Sequence, residues 1–339
     1  MDLKQIAKQV GVSTATVSRV LNDQPGVSAE VRKKVIKAAA EANYRPNQLA
    51  RGLATSKSQT IGFIVHKEKY SFSDDPFYPF ILSGVEDYLT QNGYHILITL
   101  LDEKEKQPQK LPIISQRLVD GLILAGPFIQ ASSIMNLASS EIPFVLVDNS
   151  LSQYPVNCVL TDDEGGAYSG VHHLIAEHQH KKIAFLSGPN EWVSNRERLH
   201  GYERAMEEFG LEGRVIHADE TTIASGEAML QQALKQWPDL TAVYGVNDSV
   251  AIGAIRAAGK LGRSTPRDLA VMGFDDISWA AANQPSLSTV KIFIQRMGYL
   301  AAQCLLNNIQ QPGLPPTKTL VTTELVLRES CGCQEKSNQ

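Results

Sequence analysis

The sequence has few cysteines and no long hydrophobic run, and each absence excludes a class of protein. Its 339 residues include four cysteines, none in a Cys-x-x-Cys or Cys/His zinc spacing, so we expect neither a disulfide framework nor a metal site. No stretch of 18 apolar residues occurs, so no membrane span is expected. The N-terminus lacks the apolar core of a signal peptide, which predicts a cytoplasmic protein.

Catalytic motifs are also absent. The sequence contains no Walker motif, no Gly-x-Ser-x-Gly elbow and no paired catalytic carboxylates, so neither an enzyme nor a cofactor is expected. What is present is an ordinary globular composition, with 43% hydrophobic and 20% charged residues. The length is sufficient for two or three domains with a large hydrophobic core.

Charge is distributed unevenly along the chain. Residues 1–60 contain ten Lys/Arg and four Asp/Glu, a net charge of +6, whereas the remainder carries −10. A basic head on an acidic body indicates that the head meets a polyanion. The alternative is a solvated basic helix pair without a partner.

The basic head, residues 1–45, has the pattern of a helix-turn-helix domain. Apolar residues recur at helical spacing over Leu3–Val10, and Gly11 suits a tight turn. Ser13 can cap a second helix over Thr14–Asn22, and Ser28 can cap a third helix of about fifteen residues. Two short helices joined by a glycine turn and braced by a third predict this motif.

The second helix exposes short side chains and one arginine, which suits a helix lying in the major groove of DNA. Arg19 can donate two hydrogen bonds to a guanine edge, whereas Ser13, Thr16 and Ser18 suit phosphates. A three-helix protein-interaction module is the alternative. The DNA-contact candidates of the head are Ser13, Thr14, Ala15, Thr16, Ser18, Arg19 and Asn22.

Residues 12–22 (VSTATVSRVLN), 27–28 (VS) and 44–47 (YRPN) resemble the lactose-repressor (LacI/GalR) family of bacterial transcription regulators. The resemblance extends over essentially the whole chain. It implies that the positions of Thr14, Ala15 and Arg19 read base edges.

The segment 46–60 is predicted to be a hinge helix and linker. Pro46 ends the head, and residues 47–54 can form two helical turns, which are too short to be stable alone in water. The resemblance implies a hinge helix in which Leu53 enters the minor groove with Ala50 beside it. A plain linker with Leu53 docked on its own body is the alternative. The DNA-contact candidates here are Asn47, Ala50 and Leu53.

From residue 61 to residue 339, apolar strands alternate with amphipathic helices, which predicts parallel sheets covered on both faces. About ten such units exceed one sheet, so we expect two doubly wound lobes. Lobe one is predicted over about 61–160 and 291–319, and lobe two over about 161–290 and 320–330. The predicted helices include Phe80–Asn92, Ala167–His178, Arg198–Phe209, Ala228–Trp237 and Val250–Leu261, and a last strand is expected over Leu320–Leu327.

Ligands of open α/β sheets bind at the carboxyl ends of strands, where this sequence places polar and aromatic residues. Carboxylates, an amide and an arginine can bind vicinal hydroxyls, and aromatic rings can stack on a sugar face. Each aspartate could instead cap a helix, and Trp279 could pack in a core. The effector-contact candidates are Phe77, Tyr78, Asp148, Asp162, Arg196, Asn247, Asp275 and Trp279.

The body is similar to the effector domain of the same family, on residues 273–277 (GFDDI), Asn247-Asp248 and 194–198 (SNRER). That domain is in turn similar to periplasmic sugar-binding proteins. The resemblance implies effector contacts at Arg196, Asn247 and Asp275, and it favours a sugar or sugar derivative. A nucleobase or nucleoside corepressor and a solute receptor without a DNA role are the alternatives.

The C-terminal region lacks the leucine heptads of a tetramer-forming tail, so a homodimer reading a pseudo-palindromic operator is expected. Cys331-Gly332-Cys333 supplies only two ligands, and His173 and His178 lack the i, i+4 spacing of a helical zinc site. We therefore interpret the former as an inert tail and the latter as solvated histidines.

Overall fold

The computed structural model describes residues 2–21, 25–42, 44, 57–67, 77–102, 110–127 and 129–333. The chain divides into two compact units, Met1–Gln59 and Thr60–Gln339, which are described separately below. Within the described ranges, no helix has both the length and the hydropathy needed to cross a bilayer.

The first unit contains a helix-turn-helix followed by a third helix. Gly11 adopts a φ of 75° and its N–H donates to the carbonyl of Ala7, which ends the first helix and turns the chain. The Ser13 hydroxyl then accepts the backbone N–H of Thr16 at 3.1 Å and so caps the second helix. The three helices are α1 (Leu3–Val10), α2 (Thr14–Leu21) and α3 (Ala29–Glu41).

A small apolar core holds these helices together. It is built from residues at helical spacing on all three helices, so each helix turns one apolar face to the others. Its buried members are Ile6, Ala7, Val17, Val20, Val35, Ala38 and Ala39.

The second unit contains two parallel sheets, which define two lobes. The strands are β1 (Thr60–Lys67), β2 (His95–Asp102), β3 (Gly121–Ala125), β4 (Phe144–Val147), β5 (Cys158–Thr161), β6 (Ile183–Ser187), β7 (Arg214–His217), β8 (Ala242–Gly245), β9 (Ala270–Met272), β10 (Thr289–Lys291), β11 (Lys318–Val321) and β12 (Glu324–Val326). The six-stranded sheet of lobe one has the order β11-β5-β4-β3-β1-β2, and the four-stranded sheet of lobe two has the order β7-β6-β8-β9. Strands β10 and β12 form a separate antiparallel pair.

Helices cover the sheets, and the central strands are buried on both faces, as parallel sheets require. The doubly wound, two-lobed architecture predicted from the alternating pattern is therefore confirmed. The helices are α4 (Phe77–Gln91), α5 (Pro112–Ser115), α6 (Ala131–Ala138), α7 (Asp163–Ala176), α8 (Val193–Glu208), α9 (Ile223–Gln236), α10 (Asp248–Lys260), α11 (Ser278–Ala282) and α12 (Ile294–Gln310), with a 3-10 helix over Glu329–Cys331.

The end of the chain corrects one prediction. The expected strand Leu320–Leu327 is instead two short strands, and they belong to different sheets. Lys318–Val321 completes the edge of the six-stranded sheet, so residues 320 and 321 lie in lobe one rather than lobe two. Glu324–Val326 pairs with Thr289–Lys291. The chain thus passes between the sheets after β5, after β10 and after β11.

Candidate functional site

The second helix of the head presents the predicted DNA-contact residues on one surface. Val17 and Val20 face the core, which leaves Thr14, Ala15 and Arg19 exposed on the other side. Ser13 is also exposed, whereas Thr16 and Ser18 are half-buried. Asn22, Asn47, Ala50 and Leu53 lie outside the described residues.

The hydroxyls of Ser13 and Thr16 already interact with each other. Their oxygen atoms lie 2.9 Å apart, and the Ser13 hydroxyl also accepts the N–H of Thr16. Because a hydroxyl has one donor and two acceptor sites, the pair can still bind a phosphate after capping the helix. Their predicted role as phosphate contacts is therefore compatible with a local role in fixing the start of α2.

The body contains a cavity of about 1170 Å³ that is lined by elements of both lobes. Six of the eight predicted effector contacts lie in its wall, and each comes from a loop after a strand or from the first turns of a helix. Trp279 is 58% exposed, which excludes core packing as its role. The six are Phe77, Tyr78, Asp148, Asn247, Asp275 and Trp279.

The other two predicted contacts, Arg196 and Asp162, do not line this cavity. Arg196 is half-buried and donates to the carbonyls of Asn190 and Glu191 at 2.9 and 3.0 Å. The Asp162 carboxylate accepts the N–H of Gly165 at 3.1 Å, so it caps α7, which was the alternative considered for it.

Two arginines line the cavity, Arg198 and Arg296, and Arg198 lies two residues after the predicted Arg196. Residues two apart on a helix point to different sides, so Arg198 turns inward where Arg196 turns outward. Its side chain is 7% exposed and lies over the Phe274 ring, with the guanidinium carbon 3.8 Å from the ring centroid. Arg198 belongs to the sequence motif 194–198, but no pattern in the sequence distinguished it from Arg196.

Every nitrogen of the Arg198 guanidinium has an acceptor. Nε donates to Asp163 at 2.8 Å, one terminal nitrogen donates to the Val246 carbonyl at 2.7 Å, and the other lies 3.2 Å from Asp275. Burial alone disfavours the cation, but the Asp275 and Asp163 carboxylates outweigh it and raise the pKa of Arg198 above its ordinary value. Arg198 is therefore a fixed cation that holds Asp275 in place.

Asp275 and its neighbour Asp276 are held in unusual backbone conformations. Their φ angles are 113° and 59°, both in the region that favours glycine. Arg198 holds the Asp275 side chain, and Arg328 binds the Asp276 carboxylate at 2.7 Å. Since such strain persists only where the surroundings enforce it, and clusters at functional sites, it makes this loop a candidate binding element.

Asp248 bonds to the loop that contains Asp275 and Asp276. Its carboxylate is fully buried and accepts the Ile277 N–H at 2.8 Å and the Thr289 hydroxyl. Burial, together with the nearby charge of Asp275, raises the pKa of Asp248 well above its usual range. The sequence suggested the Asn247-Asp248 pair but gave no sign that the aspartate would be buried.

Asn247 combines two roles. Its side-chain oxygen accepts the Val250 N–H at 2.9 Å and caps α10, while its amide nitrogen donates to the Thr221 carbonyl at 3.2 Å. The amide retains one donor and one lone pair for a ligand. Asn247 thus caps a helix, a role that the sequence suggested only for the aspartates, and still lies in the cavity wall.

The charge of the cavity wall is predominantly negative. Six carboxylates line it, against three cationic side chains, of which Arg198 is already paired with two carboxylates. The six are Asp87, Asp148, Asp219, Glu220, Asp275 and Asp276, and the cations are Arg198, Lys291 and Arg296. This arrangement offers many hydrogen-bond acceptors and little attraction for an anion.

The structure also corrects the interpretation of the histidines and the C-terminal cysteines. His173, His178, Cys331 and Cys333 each direct one ligand atom into a common space, and these atoms lie within 4.8 Å of one another. Taken separately, neither pair predicts a metal site from the sequence. About 155 residues separate the pairs, so spacing in the sequence could not reveal the cluster.

Each of the two units matches the model of a known protein family. Residues 2–47 match the family model described as bacterial regulatory proteins, lacI family. Residues 58–329 match the model described as periplasmic binding proteins and sugar binding domain of the LacI family.

Individual proteins match along nearly the whole chain. The ribose operon repressor of Haemophilus influenzae is 32% identical over 331 residues, covering 97% of this chain and 98% of that protein. A crystal structure of the lac repressor dimer bound to operator and the anti-inducer ONPF has a TM-score of 0.83 at 29% identity, covering 98% and 99% of the two chains. The transcriptional regulator CelR–cellobiose complex has a TM-score of 0.75 at 28% identity, covering 97% and 99%.

Proposed function

The chain belongs to the LacI family of bacterial DNA-binding regulatory proteins, and from that premise we propose that it is a homodimeric repressor controlled by an uncharged sugar. Two heads would read the half-sites of a pseudo-palindromic operator. The sugar or sugar derivative would bind between the lobes of the body. The observation that carries the choice of ligand is the acidic, aromatic wall of the cavity.

The head supports direct reading of bases by α2. Thr14 and Ala15 are exposed at the start of this helix and Arg19 in its last turn, and the short side chains would let the backbone approach the groove closely. The Arg19 guanidinium provides the bidentate donor that a guanine edge requires. Ser13, Thr16 and Ser18 are placed to bind phosphates beside it.

The cavity favours a neutral polyhydroxylated effector. The Asp148 and Asp275 carboxylates and the Asn247 amide can accept or donate to vicinal hydroxyls, and Trp279 presents an exposed ring for stacking. A sugar phosphate would face repulsion from this wall, because Arg198 is already paired with Asp163 and Asp275. We therefore propose an uncharged mono- or disaccharide rather than a phosphorylated one.

Control of DNA binding would follow from the connections between the lobes. The chain passes three times between the two sheets, and the cavity is lined from both lobes, so a ligand bound there favours one angle between them. A ligand with different affinity for two lobe arrangements shifts the population of the DNA-competent dimer. An inducer would favour the released state and a corepressor the bound state.

The first experiment measures the melting temperature of the purified full chain against a panel of neutral sugars, sugar phosphates and nucleosides. A ligand that binds only the folded protein stabilises it by about 2.7 kcal/mol at a hundredfold excess over the dissociation constant. We expect a neutral sugar to raise the melting temperature. A response to nucleosides alone would support the nucleobase alternative, and a response to sugar phosphates alone would contradict the charge argument.

A matched pair of variants links the response to the cavity. Trp279→Ala removes the exposed ring from the wall, whereas Tyr154→Ala removes an exposed ring that lies elsewhere on the body. We expect the first to abolish or strongly weaken the response and the second to preserve it. In parallel, binding to a palindromic duplex selected from random sequence should fall steeply with salt, which a solute receptor without a DNA role would not show.

A further inference from the structure

Four potential metal ligands converge at the end of lobe two, from two distant parts of the chain. His173 lies in the last turn of α7, and His178 follows shortly after that helix. Cys331 ends the 3-10 helix near the C-terminus, and Cys333 comes two residues later. One ligand atom from each side chain lies within 4.8 Å of all the others.

Four of the six distances among these atoms lie close to those of a tetrahedral coordination shell. With Zn–N bonds of about 2.05 Å and Zn–S bonds of about 2.3 Å, tetrahedral geometry separates two nitrogens by about 3.3 Å and a nitrogen from a sulfur by about 3.5 Å. The Nε2 atoms of His173 and His178 are 3.2 Å apart. Cys333 Sγ lies 3.4 Å from His173 Nε2 and 3.3 Å from His178 Nε2, and Cys331 Sγ lies 3.9 Å from His173 Nε2.

The C-terminal segment is fixed so that both sulfurs reach this point. Gly332 has a φ of 98°, which turns the chain between the two cysteines. The Ser330 hydroxyl donates to the Val271 carbonyl at 2.7 Å, anchoring the segment to the four-stranded sheet. The Ser288 hydroxyl donates to Cys331 Sγ at 3.0 Å, a contact that supports a thiolate in the way outer-sphere donors support metal ligands.

We propose that His173, His178, Cys331 and Cys333 bind one Zn²⁺ ion in a closed, tetrahedral structural site. Two imidazoles and two thiolates in tetrahedral arrangement select zinc over the hard cations magnesium and calcium. All four positions are filled by protein, so no position is open for a substrate. Binding releases the two thiol protons to solvent, because the sulfurs coordinate as thiolates.

This site is separate from the effector cavity. Asp163, which pairs with Arg198 in the cavity wall, and His173 lie ten residues apart on the same helix, a distance of about 15 Å along its axis. The zinc would join the end of the chain to α7 and so stabilise lobe two. Arg328, five residues before Cys333, binds Asp276, so the same segment also reaches the binding loop.

The metal content of the purified full chain tests the proposal directly. After growth with zinc, anaerobic purification in reductant and dialysis against metal-free buffer, elemental analysis should give about one zinc per chain. Cys333→Ser and His178→Gln change the two half-buried ligands and should lose the metal while retaining the circular dichroism of the fold. The matched controls Cys304→Ser and His172→Gln lie outside the cluster and should retain it.

Cobalt substitution identifies the ligands. Co²⁺ in a site with two thiolates gives intense d–d bands and a thiolate-to-metal charge-transfer band, and Cys333→Ser should reduce that band by about half or abolish it. A strong chelator should lower the melting temperature of the parent protein but not that of Cys333→Ser.

Three results would overturn the proposal. The parent protein could carry no zinc after growth with the metal, or Cys333→Ser and His178→Gln could carry as much zinc as the controls. Alternatively, the protein purified without reductant could be two mass units lighter than the reduced protein and take up no metal after reduction. That result would establish a dithiol–disulfide pair at Cys331 and Cys333 instead. The test requires neither DNA nor effector, so it is independent of the proposed function.

Discussion

Replacing Arg198 by alanine should destabilise the body severely, whereas replacing Arg196 should not. Arg198 is buried between Asp163 and Asp275, and its loss leaves a buried and a half-buried carboxylate without a counter-charge. Breaking a buried ion pair in this way costs about 3–5 kcal/mol. Arg196 is half-buried and bonds to loop carbonyls, so its loss should change the free energy of unfolding by about 1 kcal/mol or less.

The assay is thermal and urea unfolding followed by tryptophan fluorescence. All three tryptophans, at positions 192, 237 and 279, lie in the body, so the signal reports on that unit. At about 2–4 °C per kcal/mol, Arg198→Ala should lower the melting temperature by about 10 °C. Both variants remove one positive charge, so a difference between them reflects position and not net charge.

A third variant tests the cause. Adding Asp163→Asn to Arg198→Ala removes one of the unpaired carboxylates and should recover part of the lost stability. The assignment of Arg198 as the buried cation of the cavity is wrong if Arg196→Ala and Arg198→Ala have the same melting temperature. It is also wrong if adding Asp163→Asn to Arg198→Ala lowers the stability further.

Three further predictions concern the DNA surface, the pH dependence and the cavity. Arg19→Ala should relax selection at one or two operator positions by about 1–3 kcal/mol, measured by selection from random duplexes; unchanged selectivity would exclude base reading. Asp248 has a raised pKa in the folded state, so the stability that its protonated form contributes is present below its unfolded pKa and is lost as the pH rises through the folded pKa. Asp248→Asn should therefore weaken the dependence of melting temperature on pH and should raise the melting temperature at neutral pH. An unchanged pH profile would show that Asp248 does not titrate as described. Trp279→Ala should weaken effector binding without lowering the melting temperature of the ligand-free protein, and a lower melting temperature would indicate a packing role.

The sequence was sufficient for the architecture because the signals for it are local. The apolar runs Gly121–Ala125, Phe144–Val147 and Ile183–Ser187 predict strands with those bounds, and β3, β4 and β6 have the same bounds, since a strand buried on both faces contains few polar positions. The predicted starts of the helices were less accurate. The helix Asp163–Ala176 begins four residues before its predicted start, because its first turn is acidic and glycine-containing rather than apolar.

Two candidate contacts lie outside the cavity wall for separate reasons. Arg196 was assigned from the family resemblance, and nothing in the sequence distinguished it from Arg198, which lies two residues later on another side of the same helix. Asp162 follows β5 directly, as Asp148 follows β4, but its carboxylate turns back to cap α7. A position after a strand therefore places a residue near this edge of the sheet without fixing where its side chain points.

The histidine and cysteine cluster illustrates a limit of a different kind. Its members come from two segments, and neither segment alone has the spacing or the number of ligands for a metal site. Only the return of the C-terminal segment to β9, through Ser330 and Val271, brings them together. Contacts between distant segments depend on topology, which no local pattern encodes.

The backbone of the binding loops has a consequence for how this protein would respond to selection. Asp148 and Asp275 have φ angles of 57° and 113°, where glycine is favoured over any residue with a side chain. A glycine at position 148 would relieve strain and remove a carboxylate from the cavity wall at once, whereas a glycine at position 275 would also break the ion pair with Arg198. A laboratory selection for thermal robustness alone should therefore enrich glycine at position 148 rather than at 275, and yield proteins that still fold but bind a ligand of this cavity less tightly.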